Sequence, residues 1–245
     1  MAYATLVEMV KALGASSAVA RVAPAALAGC IAEISGAHTA GLRRNCAYCA
    51  GVLAELGGEA VAAQREALVA ALCGLLARDS SGAEQNGKWA ERDAGTRDNA
   101  AGAAARALFA ANGAVARDAR LGPPLMDALL AGVPLREDFE ECASAYGGGL
   151  AKLADVIASA EVPAAAERLG GVVAAAARVA AEAAKAGTPK DGKEGSKTGP
   201  TRETLSALAA SVKRMHDRDA AAGDAAMAGL PEDQRTALAS LVAGF

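Results

Sequence analysis

The sequence predicts an all-α protein built from antiparallel helix pairs, a curved α-solenoid interrupted by two polar insertions. Three observations carry this. Apolar residues make up 53% of the 245 positions, yet aromatics only 3%. Most of the apolar content is Ala, the best helix former and a poor strand former. The apolar residues recur at helical spacing, and the breaks between runs fall at Gly, Pro and Ser.

In chain order, Tyr3 to Leu13 is a helix with Leu6, Val7, Val10 and Leu13 on one side, ended by Gly14. Ser16-Ser17 caps a second helix reaching Ile34, with Pro24 as a kink or first turn. A third spans Ala40 to Leu56 and a fourth Ala60 to Ala77, separated by Gly57-Gly58. Residues 79–95 are polar and contain Trp89, and they form an exposed insertion with the Trp as a local anchor. Helix resumes over Thr96 to Ala111. Pro123-Pro124 opens a short helix, and Leu135 opens another that continues to about Ala158, weakened by Gly147-Gly148-Gly149. Pro163 starts a long Ala-rich helix ending near Ala186. Residues 187–200 have no large apolar side chain and form a linker. Thr201 opens a helix to Asp219, and Pro231 opens the last, to Val242. The whole of 1–245 is expected to be one helical array.

Several functions are disfavoured. A net charge of −3 lacks the basic excess of a nucleic-acid binder. No long uncharged apolar run with membrane-type flanks is present, and no signal segment. No Gly-rich phosphate loop precedes a Lys-Ser/Thr, and no catalytic set or cofactor signature stands out. The chain is therefore expected not to be an enzyme and to need no cofactor or metal. Five cysteines, Cys30, Cys46, Cys49, Cys73 and Cys142, read as reduced core thiols. Cys46 and Cys49 form a C-x-x-C on one helix face, for which core packing outweighs metal or redox chemistry. His38 and His216 read as solvated.

A phrase repeats along the chain: Leu42-Arg43-Arg44-Asn45-Cys46, then Thr96-Arg97-Asp98-Asn99-Ala100, then Leu135-Arg136-Glu137-Asp138-Phe139. Its spacing of about forty residues, stretched by the insertion, suits HEAT-type repeats, in which neighbouring pairs bury each other's faces. Arg43, Arg97 and Arg136 then bridge to adjacent repeats.

At this phrase the chain resembles the C-terminal region of importin-4 type karyopherin-β transport receptors. Arg97-Asp98-Asn99-Ala100-Ala101-Gly102-Ala103-Ala104-Ala105-Arg106 is similar to their V-R-D-N-x-x-G-A-x-A-R segment. Val133 to Glu141 is similar to P-L-K-E-D-x-E-E, and Gly51 to Gly58 to G-V-L-A-E-x-G-G. The chain departs from the pattern in Ala100 to Ala105, where larger apolar residues are usual, and in Thr96, where Val is. The resemblance implies nuclear import and shuttling between cytoplasm and nucleus. It implies basic cargo on the concave side: a tail of core histone three, with histone four and a histone chaperone alongside. Ran binding would belong to N-terminal repeats that this segment does not resemble.

The second helices of such repeats line the concave face, and here they open with polar or acidic pairs. Arg44, Tyr48, Val52 and Glu55 are expected to share one stripe, Asp98, Gly102 and Arg106 the next, and Glu137, Glu141 and Ala145 a third. Asn45 and Asn99 could hydrogen-bond an extended peptide. The carboxylates of Asp98, Glu137, Asp138 and Glu141 could take Lys or Arg, and Tyr48 and Tyr146 could pack on their stems. Glu8 could extend the acidic wall. The alternative is a HEAT scaffold that holds a folded partner or a helix within a larger assembly.

Overall fold

A computed structural model describes residues 2–36, 39–80, 94–186 and 199–245. Among these every regular element is helical and no strand occurs. Expectations for His38, for Trp89 and for most of both polar segments lie outside the described residues. The chain divides into two compact units, Met1–Gly132 and Val133–Phe245.

In the first unit, α1 (Ala2–Leu13), α2 (Ser17–Gly36) and α3 (Ala40–Gly57) follow the predicted order. Ser16 caps α2 by accepting from the Val19 N–H, and Thr39 caps α3 by accepting from Leu42. Gly58, at φ 54, turns the chain into a 3-10 segment, Gly58–Gln64, before α4 (Arg65–Ser80). α5 (Ala94–Arg117) breaks at Ala110–Gly113, where the backbone leaves helical geometry, and α6 (Gly122–Gly132) closes the unit. The polar insertion is therefore shorter than 79–95, since helix runs to Ser80 and resumes at Ala94.

The packing alternates. α1 lies on α3 and α3 on α5, while α2 lies on α4 and α4 on α6, with α2 on α3, α4 on α5 and α5 on α6 joining the two layers. Small residues permit the closest approach: an added Cβ on Gly51 of α3 would lie 2.7 Å from the Ala103 Cα of α5. By length and composition, Ser17–Gly36 and Ala40–Ala77 are apolar enough to cross a bilayer. In this unit they are α2 and the α3–α4 stretch, packed on one another.

The second unit departs from expectation at its start. Residues 133–138 are not helical, and regular structure begins only with a 3-10 turn at Phe139–Glu141. The helix expected to open at Leu135 therefore starts later. The Leu135 N–H is taken by the Tyr146 hydroxyl, at 2.8 Å, rather than by a helix partner, so the segment folds back on the helix that follows. A π-helical run, Ala143–Ala151, spans the three glycines and continues as α7 (Lys152–Ser159). The long helix expected from Pro163 is divided into α8 (Pro163–Ala166) and α9 (Leu169–Ala186). α10 (Arg202–Arg218) is capped by the Thr201 hydroxyl, which accepts from Thr204. Asp219 caps α11 (Ala220–Ala228), a helix not among those expected from the sequence, and Pro231 precedes α12 (Glu232–Ala243). The π-helical run and α7 pack on α10, while α9 packs on α11 and α12.

Candidate functional site

The ten residues expected to face a cargo divide sharply by burial. In α5, every residue from Gly95 to Ala105 is buried. This helix runs through the unit's interior and has no solvent face there. Asp98 is fully buried and has partners within the chain. Asn99 is 4% exposed, and its side-chain amide donates to the Gly95 carbonyl at 2.8 Å. Neither is a peptide contact, which corrects that expectation. Arg97, expected to be structural, donates to the Ala131 carbonyl on α6.

The same correction applies to Glu141 and Tyr146, 3% and 2% exposed. Tyr146 is spent on holding the Leu135 backbone, and the nearby Val133 carbonyl accepts from Arg178 at 3.4 Å. Burial lowers the Arg178 pKa. Because Glu137 precedes the first helical turn, Glu137, Glu141 and Ala145 do not form a helical stripe.

On the first unit, Tyr48 and Glu55 of α3 join residues of α1 and α5 in one row, with balanced charge. Tyr48 sits between two cations. The Arg106 guanidinium lies 5.2 Å from its ring centroid and the Lys11 ammonium 6.0 Å, with Lys11 also donating to the Tyr48 hydroxyl at 3.3 Å. That hydrogen bond raises the Lys11 pKa. The row ends on carboxylates, Glu8 at 3.4 Å from Lys11 and Glu55 at 3.7 Å from Arg106. Sequence reasoning placed Tyr48 and Glu55 correctly on one face but missed Lys11, whose helix has no place in the repeated phrase. Tyr48 already carries the chain's own cations, so a cargo lysine would meet like charge there. Arg44 is half-buried, with its guanidinium against Gly95, while Asn45 is exposed.

The acidic stretch of the second unit is different. A cleft of about 390 Å³ opens between the start of the π-helical run and the first turns of α10. Phe139 and Ala143 line one wall and Thr201, Thr204 and Ala207 the other, with Glu140 and Glu203 exposed at its sides. Glu137 and Asp138 precede this wall directly, exposed and half-buried. The N-terminus of α10 contributes roughly half a unit of positive charge. The two carboxylates on the cleft outweigh it. Glu140 and Glu203 were not among the expected contacts. Glu140 was readable from the acidic cluster itself, whereas Glu203 lies across the cleft on a helix distant in sequence.

Residues 1–132 carry as many acids as bases, so the whole net charge of −3 belongs to residues 133–245. Among the described residues, no group of three His, Cys, Asp or Glu is placed to hold a metal. His216 lies 2.9 Å from Asp224, across the α10–α11 junction. The chain matches no protein-family model and no curated protein sequence.

Proposed function

We propose that the chain is a non-catalytic HEAT-type scaffold of the karyopherin class, and that its second unit receives a basic segment of a partner protein. The alternating packing of the first unit supports the repeat reading: there, helices stack on the next but one, as successive helix pairs of a solenoid do. The observation that carries the binding function is the cleft between Phe139–Ala143 and α10, with Glu140 and Glu203 at its sides. A lysine or arginine fits this chemistry. Its aliphatic stem packs on Phe139 and its head meets carboxylates that keep their water. A core histone tail is the partner class that the sequence resemblance suggests, and shuttling between cytoplasm and nucleus accompanies it. Histone four, a histone chaperone and the Ran-binding repeats belong to the same proposal.

Exposed ion pairs contribute only about 0.2–1 kcal/mol each, so neutralising one carboxylate is a weak test. Reversing two adds repulsion. The double variant Glu140→Lys, Glu203→Lys is expected to weaken binding of a lysine-rich histone-three tail peptide by about tenfold or more, since about 1.4 kcal/mol suffices for that factor. Fluorescence anisotropy at low salt checks this, and unchanged affinity would mean that the peptide does not bind in the cleft.

A second reading has its own observation. Met9, Leu13 and Val22 of the first unit are 57%, 52% and 48% exposed. Large apolar side chains left open on α1 and α2 suit a scaffold that holds a helix or a folded partner there. Such a contact would survive high salt.

A further inference from the structure

The acids around the cleft of the second unit are not equally available. Glu137, Asp138 and Glu141 each have a partner within the chain. Glu140 has none among the described residues, and neither does Glu203 across the cleft. The base beside Glu203 is occupied elsewhere: the Arg202 guanidinium lies 5.9 Å from the Phe245 ring centroid. The Thr201 and Thr204 hydroxyls are 2.9 Å apart and satisfy each other. Two unpaired carboxylates therefore border the cleft from different elements, Glu140 from the 3-10 turn and Glu203 from α10. The floor between them is made of small residues, Ala143 and Gly147 on the π-helical run and Thr204 and Ala207 on α10. Nothing lies within 4 Å of a Cβ added to Gly147, so another backbone has room to pass over it.

We propose that the cleft selects two adjacent basic residues of an extended segment, one for each unpaired carboxylate. This rests on the reading of the cleft as the receptor of a basic segment, and it adds the register. Successive side chains of an extended chain point to opposite sides. A Lys or Arg pair without a spacer sends one head toward Glu140 and the other toward Glu203, with the backbone between them over Gly147. A pair separated by one residue puts both heads on the same side and leaves the other carboxylate unmatched. A lone basic residue leaves one unmatched as well. The cleft, at about 390 Å³, is large enough for a short stretch of backbone and the stems of two side chains. Both carboxylates are exposed, so each contact alone is weak. Selection comes from matching both positions at once, and a segment of the wrong spacing forfeits one of them.

The test uses the full chain and fluorescence anisotropy at low salt. Labelled peptides share one Gly-Ser host and differ at its centre, which is Lys-Lys, Lys-Ser-Lys or Lys-Glu. The unaltered chain should bind Lys-Lys about threefold or more tightly than Lys-Ser-Lys, the order of one exposed ion pair. In the Glu203→Lys chain the preference should invert, with Lys-Glu bound more tightly than Lys-Lys although the chain stays net negative. Glu140→Lys should invert it in the same way. Gly147→Leu places a side chain in the open floor and should remove saturable binding of Lys-Lys. Equal affinity for Lys-Lys and Lys-Ser-Lys, or no inversion in either reversed chain, would overturn the register and leave a receptor for a basic segment standing. Binding of Lys-Lys untouched by Gly147→Leu would overturn the seat over Gly147. No saturable binding of Lys-Lys or Lys-Ser-Lys would remove the receptor reading and the register together.

Discussion

Gly51→Val is expected to destabilise the first unit by about 3 kcal/mol, the upper part of the range for overpacking a close-packed core. A Cβ at this position lies 2.7 Å from the Ala103 Cα and 2.9 Å from its Cβ. The obstacle is a helix backbone, which cannot rotate away as a side chain can. Relief requires α3 and α5 to separate, and that contact is the centre of the unit. A substitution ten residues earlier on the same helix should act in the opposite direction. Gly41 is exposed, and nothing lies within 4 Å of an added Cβ. Gly41→Ala should therefore stabilise by about 0.5 kcal/mol, through lower entropy in the unfolded chain. Urea denaturation followed by circular dichroism measures both, and the opposite signs separate helix propensity from helix contact.

Tyr146→Phe is expected to cost the second unit about 1–3 kcal/mol, although it removes a single oxygen. Leu135 is buried, and its N–H is 2.8 Å from that oxygen. Without the hydroxyl the donor is left dry and unpaired, and that loss is larger than the net worth of an ordinary hydrogen bond. The effect should reach the site. Leu135 anchors the segment that carries Glu137 and Asp138, so faster amide exchange at residues 135–138 should accompany the lost stability. Exchange unchanged there would mean that this hydrogen bond does not hold the acidic segment.

These two residues also show what a sequence can and cannot disclose here. The helices were legible because Ala and Leu periodicity, a Ser or Thr before a run and a Gly after it are local signals. Ser16, Thr39 and Thr201 cap where a cap was expected or where a helix was expected to open. The start of the second unit was not legible. Acids after a proline are what a helix N-terminus looks like, and the competitor for the Leu135 N–H is a tyrosine eleven residues on. Burial was the larger gap. Periodicity identifies a face only when a helix has two kinds of side. Along Ala100 to Ala105 every side is Ala or Gly, so the spacing of Asp98 and Arg106 could not reveal that this part of α5 is interior. On α3 the contrast between Cys46, Cys49 and Leu53 inside and Asn45 and Glu55 outside was present, and there Tyr48 and Glu55 were placed on the right side. The cleft needed a partner wall from α10, more than sixty residues away in sequence, which no local pattern supplies.

The acidic cleft of the second unit is proposed to take a basic segment of a partner protein. Its most direct test is a titration of a fluorescent histone-three tail peptide into the chain at low and high salt, with an acidic peptide as control. Charges that keep their water are screened over about 10 Å at 0.1 M salt and about 3 Å at 1 M. Saturable binding is expected at low salt, weakening steeply as salt rises and absent for the acidic peptide. No saturable binding at low salt, or binding of equal strength at both salt concentrations, would contradict it.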